Sequence, residues 1–177
     1  VTMTRKKIKK WTVMVYLDGD NNLEDNAEDD VVEIEGAGSS NDVNVIILWD
    51  EFNGNRHGYY AIENGNAVLK QDLGEINMGL EITVKKFIDY VLENYPAEHY
   101  FIDFWNHGDG PDNKKSPRGV CDDDTSGDQL SSVELANAMR YFYEEINGPV
   151  DIIGFDACLM QAIEVAYQFN YLADYVI

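Results

Sequence analysis

Two residues in this chain have the chemistry of a nucleophile and its base. The stretch DIIGFDACLM, residues 151–160, runs an apolar segment up to one carboxylate, Asp156, and one thiol, Cys158. A second apolar segment, HYFIDFW, is followed by Asn106, His107 and Gly108. An imidazole beside a thiol can take its proton and return it to a departing amine, which is the requirement for acyl transfer through a covalent intermediate. The backbone N–H groups of Cys158 and Gly108 are candidate donors to the oxyanion of that reaction, because glycine lets the chain approach a substrate closely. At this level packing is the more common reading, since cysteine is among the most buried residue types. A Cys and a His some fifty residues apart also co-occur by chance.

The elements that would position these residues follow from the apolar pattern. Residues 11–18 (WTVMVYLD) and 43–50 (VNVIILWD) are continuous apolar, β-branched and aromatic runs, as expected of strands buried on both faces. Between them lies one short helix with Asn caps, acid in its first turns and an end at Gly36. Asn64–Gly65 marks a hairpin turn between two alternating strands. Residues 79–96 suit a helix stopped at Pro96, and HYFIDFW is a third core strand. A loop of about twenty residues follows, a length that is usually functional or mobile. Residues 131–148 predict a helix capped by Ser131 or Ser132, and VDIIGFD a fourth core strand. LMQAIEVAYQFN predicts a helix opened by Cys158, and DYVI the beginning of a further strand. Alternating strands and helices indicate an α/β sandwich with a mostly parallel sheet, in which ligands bind at the carboxyl edge. A thiol at a helix start would be shifted toward thiolate by unpaired N–H groups and the helix dipole.

Composition bounds the partners. The 177 residues are about one domain, 45% hydrophobic, with thirteen basic and thirty-three acidic side chains for a net charge of −20. Such a charge argues against nucleic acid or an anionic membrane and favours cations or basic peptides; the alternative is that it serves solubility alone. Two cysteines are too few for a disulfide scaffold. No run approaches the ~20 apolar residues of a membrane span. Residues 1–10 are a basic segment expected to be disordered, and residues 11–177 the folded domain, with an abrupt end that suggests a missing C-terminal portion.

The motifs WTVMVYLDGDNNLE, DLGEINMG, NYPAEHY, WNHGDG, CDDDTSGDQLSSVEL and DIIGFDACLMQAIEVAYQ, in that order, closely resemble the clostripain family of cysteine peptidases. The most specific pieces are NHG and DACLM. The resemblance implies a caspase-like three-layer α-β-α fold, a Cys158/His107 dyad without an obligatory third acid, and cleavage of protein or peptide substrates after Arg or Lys. It implies that Asp156 lines the pocket for the basic side chain, a role that also makes independent sense for a carboxylate, with helix N-capping as the alternative. It further implies a secreted or cell-envelope protein made as a precursor. Lys114, Lys115 and Arg118, in the loop around 111–119, are then candidate self-cleavage positions; a solvated loop is the alternative. An inactive homologue, or a calcium-binding or interaction domain that keeps the fold, is the competing function.

The chemistry requires no cofactor, and no residue is assigned as a metal ligand. Calcium is kept as a candidate partner. Residues 18–29 place Asp18, Asp20, Asn22, Glu24, Asn26 and Asp29 near an EF-hand spacing, but Leu23 stands where the loop needs glycine. Residues 122–128 form a second acidic cluster. His57 and His99 suit surface positions, Cys121 a structural thiol, and Trp49 and Trp105 core packing; Asp103 interrupts a strand that should be buried.

Overall fold

A computed structural model describes residues 6–110 and 119–177. Its centre is β1 (Lys9–Gly19), whose apolar run is flanked on both edges by parallel partners: β2 (Val43–Glu51) and β5 (Ala97–Trp105). Beyond β2 the sheet continues through the antiparallel hairpin β3 (Gly58–Glu63) and β4 (Asn66–Asp72), turned at Asn64 and Gly65, both with positive φ. Beyond β5 it continues in parallel through β8 (Val150–Asp156) and β9 (Ala173–Val176), completing the order β4-β3-β2-β1-β5-β8-β9. One face packs against α2 (Glu81–Asn94) and α3 (Ser132–Ile146), with Met14, Tyr16, Phe87, Phe104, Met139 and Phe142 in a common core. The other face carries α1 (Glu24–Ala37), with Ala27 and Val31 on Leu17, Ile47 and Trp105. The result is the expected three-layer sandwich with a mostly parallel sheet. Among the described residues no helix is long and apolar enough to cross a membrane.

Local chemistry accounts for most element ends. Ser131 and Glu134 form a capping box on α3, and Asn147 closes that helix in the left-handed region. α1 runs past the expected stop at Gly36 to Gly38, where φ is +72°. Its start is set by an Asx turn in which Leu23 N–H donates to Asn21 Oδ1. β1 takes in Lys9 and Lys10 from the basic segment expected to be disordered, because the Lys10 and Trp11 N–H groups both donate to the Asp42 carbonyl.

Two segments depart from the sequence-based expectation. The long loop contains a second, two-stranded sheet, β6 (Gly119–Asp123) and β7 (Asp128–Ser131). A bulge at Cys121, with φ +64°, turns both Val120 and Cys121 inward and hides the alternation by which the hairpin could have been recognised. The helix expected after β8 is absent as such: residues 157–162 form turns, then come a single helical turn, α4 (Ile163–Ala166), and a 3-10 turn at Tyr167–Phe169. Leu159 has φ +63° and Ala162 is extended, so the helical path is interrupted twice. Leu159, Ile163 and Tyr167, which helical spacing would align as one buried stripe, are 70–77% exposed. Met160, Val165 and Phe169 hold the segment to the core instead.

Candidate active site

β5 and β8 are adjacent, parallel and in register, with Trp105 opposite Asp156. His107 and Cys158 each lie two residues beyond that pair, so both leave the carboxyl edge of the sheet at the same level. Gly108 closes the gap between the two segments. A Cβ there would lie 2.3 Å from the Cys158 carbonyl oxygen, 2.8 Å from Met160 and 3.1 Å from Ala157, so only glycine allows this approach. Gly108 also bridges Val120, and the Asp109 N–H donates to the Gly119 carbonyl at 3.2 Å, fixing the His107 segment to β6. Cys158 is exposed, whereas Cys121 is fully buried with its thiol pKa pushed up by desolvation and nearby carboxylates. Cys121 is thus the structural thiol the sequence suggests.

His107 is partly exposed, and its Nε2 lies 2.9 Å from Asn22 Oδ1. An amide oxygen can only accept, so Nε2 carries the proton and Nδ1 is left to receive one. Asn22 was expected as a helix cap or a calcium ligand, and its contact with the imidazole is not legible in the sequence. Asn106 and Asn21 form the buried strut behind it. Asn106 Nδ2 donates to the Asp18 carbonyl at 2.9 Å, Asn21 Nδ2 donates to the Asp122 carbonyl at 2.7 Å, and the two side chains bond at 3.2 Å. The strut ties the ends of β1, β5 and β6, and the His107 N–H donates to Asn106 Oδ1.

Asp156 is exposed on the α1 side of the sheet, its pKa raised by partial burial and by the Asp30 carboxylate. No helix begins beside it, which removes the capping alternative. Cys158 likewise does not open a helix, so the expected dipole shift toward thiolate has no structural basis; α4 begins five residues later and has four residues. Asp103 also lies on this face, leaning with Phe101 over Gly154. Burial and then the Asp156 charge raise its pKa to about 6. Lys114, Lys115 and Arg118 lie outside the described residues.

Residues 18–29 do not form a calcium loop, since β1 extends to Gly19 and α1 starts at Glu24, whose carboxylate caps Asn53 and Gly54 instead. His57 is not a surface residue: Nδ1 lies 2.6 Å from the fully buried Asp50 carboxylate. Asp18, Asp20 and Asp50 are all 0% exposed. Burial and mutual repulsion raise Asp20 to about 7, Asp50 to about 9 and Asp18 well above the usual carboxylate range. His99 is exposed as expected, bonded to Asp151 and packed on Trp11. Trp49 and Trp105 are in the core, and the Trp105 indole N–H donates to Asp30 at 2.6 Å.

A mostly parallel sheet between helical layers, with a thiol and an imidazole just past the carboxyl ends of two neighbouring strands, defines the class of caspase-like cysteine peptidase folds. Within that class the profile of the Clostripain family matches residues 15–177, and the chain belongs to that family. It is 33% identical over 198 residues to clostripain of Hathewaya histolytica, covering 94% of this chain and 37% of that protein. A secreted C11 cysteine protease of Bacteroides thetaiotaomicron, solved with an irreversible peptide inhibitor, superposes with a TM-score of 0.78 at 29% identity, over 95% of this chain and 48% of that one. An inactive zymogen C11 protease of Parabacteroides distasonis gives a TM-score of 0.74 at 26% identity, over 98% and 49%. The chain spans about half or less of these relatives.

Proposed function

We propose that the protein is a cysteine endopeptidase in which Cys158 and His107 form a catalytic dyad and cleavage follows Arg or Lys. The observation that carries this reading is the in-register pairing of Trp105 with Asp156, with Gly108 seated on the Cys158 carbonyl. His107 Nδ1 takes the Cys158 proton as sulfur attacks the peptide carbonyl, and the same proton then goes to the leaving amine. Water, deprotonated by His107, hydrolyses the acyl-enzyme. Thiolate is generated by this transfer rather than by a helix dipole. The N–H groups of Gly108 and Cys158 are the proposed oxyanion donors. Asn22 is a positioning residue, holding the tautomer that leaves Nδ1 free.

Specificity for a basic residue is supported by the charge around the site. Asp156 and Asp30 repel one another across the α1 side, and a guanidinium or ammonium between strand end and helix would relieve that repulsion. On the His107 side Asp122, Asp123, Asp124 and Asp128 line an acidic hollow of about 620 Å³. Self-cleavage within 111–119 is supported by the way its flanks, Asp109 and Gly119, are bonded together beside His107. Secretion or attachment to the cell envelope, like the secreted Bacteroides relative, completes the proposal.

Hydrolysis of fluorogenic Arg and Lys peptides by the intact protein tests it. Cys158→Ala is expected to lower kcat by at least about 10³-fold. Asp156→Asn should cost about 10²-fold in kcat/KM for Arg peptides and little for neutral ones. Asn22→Ala should lower kcat about tenfold with KM unchanged. Retained activity in folded Cys158→Ala would overturn the dyad, and an intact chain after prolonged incubation of active enzyme would overturn self-cleavage.

A further inference from the structure

The residue that follows the thiol is one for which packing gives no reason. Leu159 is 70% exposed and belongs to neither hydrophobic core, whereas Met160 after it is 1% exposed and Ala157 before the thiol packs against the core. Leu159 also has φ +63°, in the left-handed region that glycine and asparagine adopt with least strain and that a leucine seldom enters. A turn alone would be served better by glycine, and a surface position by a polar side chain. Strain kept at an exposed apolar residue beside a nucleophile points to a use for the side chain.

The surroundings fix where Leu159 lies relative to the thiol. Gly110, with φ +68°, closes on it: a Cβ there would lie 2.8 Å from Leu159 Cβ and 3.1 Å from the Leu159 carbonyl oxygen. Gly108 is seated in the same way on the Cys158 carbonyl, so residues 108–110 run alongside residues 158–159. That segment leads from His107 to β6, whose Val120 and Cys121 lie in the core shared with α2 and α3. Asp156 instead shares the α1 side of the sheet with Trp105, its partner in register. The thiol therefore stands between two flanks, with the carboxylate on one and Leu159 beside the imidazole segment on the other. In the reaction proposed above the imidazole gives its proton to the departing amine, so the amine half of the substrate lies on the His107 flank.

We propose that Leu159 forms an apolar subsite for the side chain on the amine side of the cleaved bond, and that it selects aliphatic or aromatic residues there. The inference rests on the Cys158/His107 reading and extends it to the half of the substrate that the contact proposed at Asp156 does not reach. The backbone on both sides of the leucine is fixed, by buried Met160 and by the approach of Gly110, so docking a side chain on it costs little ordering. Contact removes apolar surface of both partners from water. Asp109, exposed and next to Gly110 in the chain, adds repulsion against an acidic residue at the same place. Leu159 takes no part in bond breaking.

The test compares cleavage of internally quenched peptides by the intact protein. The peptides share Arg before the bond and differ only in the residue after it, which is Leu, Phe, Ser or Asp. The wild-type protein is expected to show kcat/KM about tenfold higher for Leu and Phe than for Ser, with Asp lowest. Leu159→Asn is close in size and suits the left-handed backbone, so it should melt no lower than wild type. It should bring the Leu-to-Ser ratio to within about twofold of unity, while Leu159→Met keeps most of the preference. Each ratio is taken within one enzyme preparation, so a change in the amount of active enzyme cancels. The same Leu-to-Ser exchange one residue before the Arg should give a ratio that neither variant alters, which separates a local contact from a general loosening of the site. Equal rates for the Leu and Ser peptides in wild type overturn the subsite and leave the dyad standing, and so does an undiminished ratio in folded Leu159→Asn. Cleavage of none of the peptides by wild type, or undiminished cleavage by Cys158→Ala, overturns the dyad reading and the subsite with it.

Discussion

Asp103 sits in the middle of β5 between Ile102 and Phe104, both fully buried on the opposite face. Its own face is the α1 side, where the Asp156 N–H bonds to it and lowers its pKa somewhat, while burial and the Asp156 charge raise it further, to about 6. A carboxyl whose folded pKa is raised favours the protonated fold. Its contribution is therefore fully present below about pH 4, and it is lost as pH rises through about 6. The difference of about two pKa units is worth roughly 3 kcal/mol. Asp103→Asn should remove that slope: relative to the variant, the wild-type protein is expected to lose stability between about pH 4 and 7, measured by denaturant unfolding at fixed pH values. Parallel pH profiles for the two proteins would overturn the assignment. The anomaly itself was legible in the sequence as an acid interrupting an apolar strand. Its neighbour was not, because Asp156 is fifty-three residues away and meets it only through the β5–β8 pairing.

At the scale of elements, the four central strands were legible because buried parallel strands are continuous apolar runs, and α3 because its cap and its periodicity agree. Two elements were not. β6 is disguised by its bulge at Cys121, and the segment after β8 has helical spacing of apolar residues that the fold turns outward. In both cases tertiary packing overrode the local pattern: Val120 and Cys121 fill the core together, and Met160 is drawn in where a helix would have placed it differently. That second departure has a consequence at Gly108. With no helix after Cys158, the Cys158 carbonyl lies against Gly108, beyond the end of β5, and occupies the place a side chain at position 108 would need. Gly108→Ala must push the two segments apart, with an expected loss of about 2 kcal/mol or more in stability and a larger loss of activity than the loss of fold explains. Unfolding and hydrolysis measured on the same variant check it. An unchanged Tm with full activity would mean that the 107–108 and 157–160 segments are not packed as described.

Charge is distributed unevenly over the whole molecule. Five of the thirteen lysines and arginines fall within the first ten residues, and Lys9 and Lys10 begin β1 at the amino edge of the sheet. The opposite edge carries Asp18, Asp20, Asp50 and Glu51 at the ends of β1 and β2, Asp122 and Asp123 on β6, and Asp156 beside the thiol. Part of the net charge of −20 therefore lies at the edge where His107 and Cys158 reach the surface, carried by the acids there other than Asp18 and Asp50, which burial raises toward their neutral forms. Such a field raises the encounter rate of cationic substrates and is screened by salt over a Debye length of about 30 Å at 0.01 M and about 10 Å at 0.1 M. For a peptide carrying several lysines or arginines, kcat/KM is expected to fall about tenfold between roughly 0.01 and 0.3 M salt, with kcat unchanged. Asp156→Asn should shift the whole curve down and keep its slope, since the proposed contact is lost while the long-range field remains. A peptide with a single positive charge should show a shallower slope. If kcat/KM for the polybasic peptide does not change with salt, the acidic edge serves solubility rather than substrate capture, and specificity rests on the contact proposed at Asp156 alone.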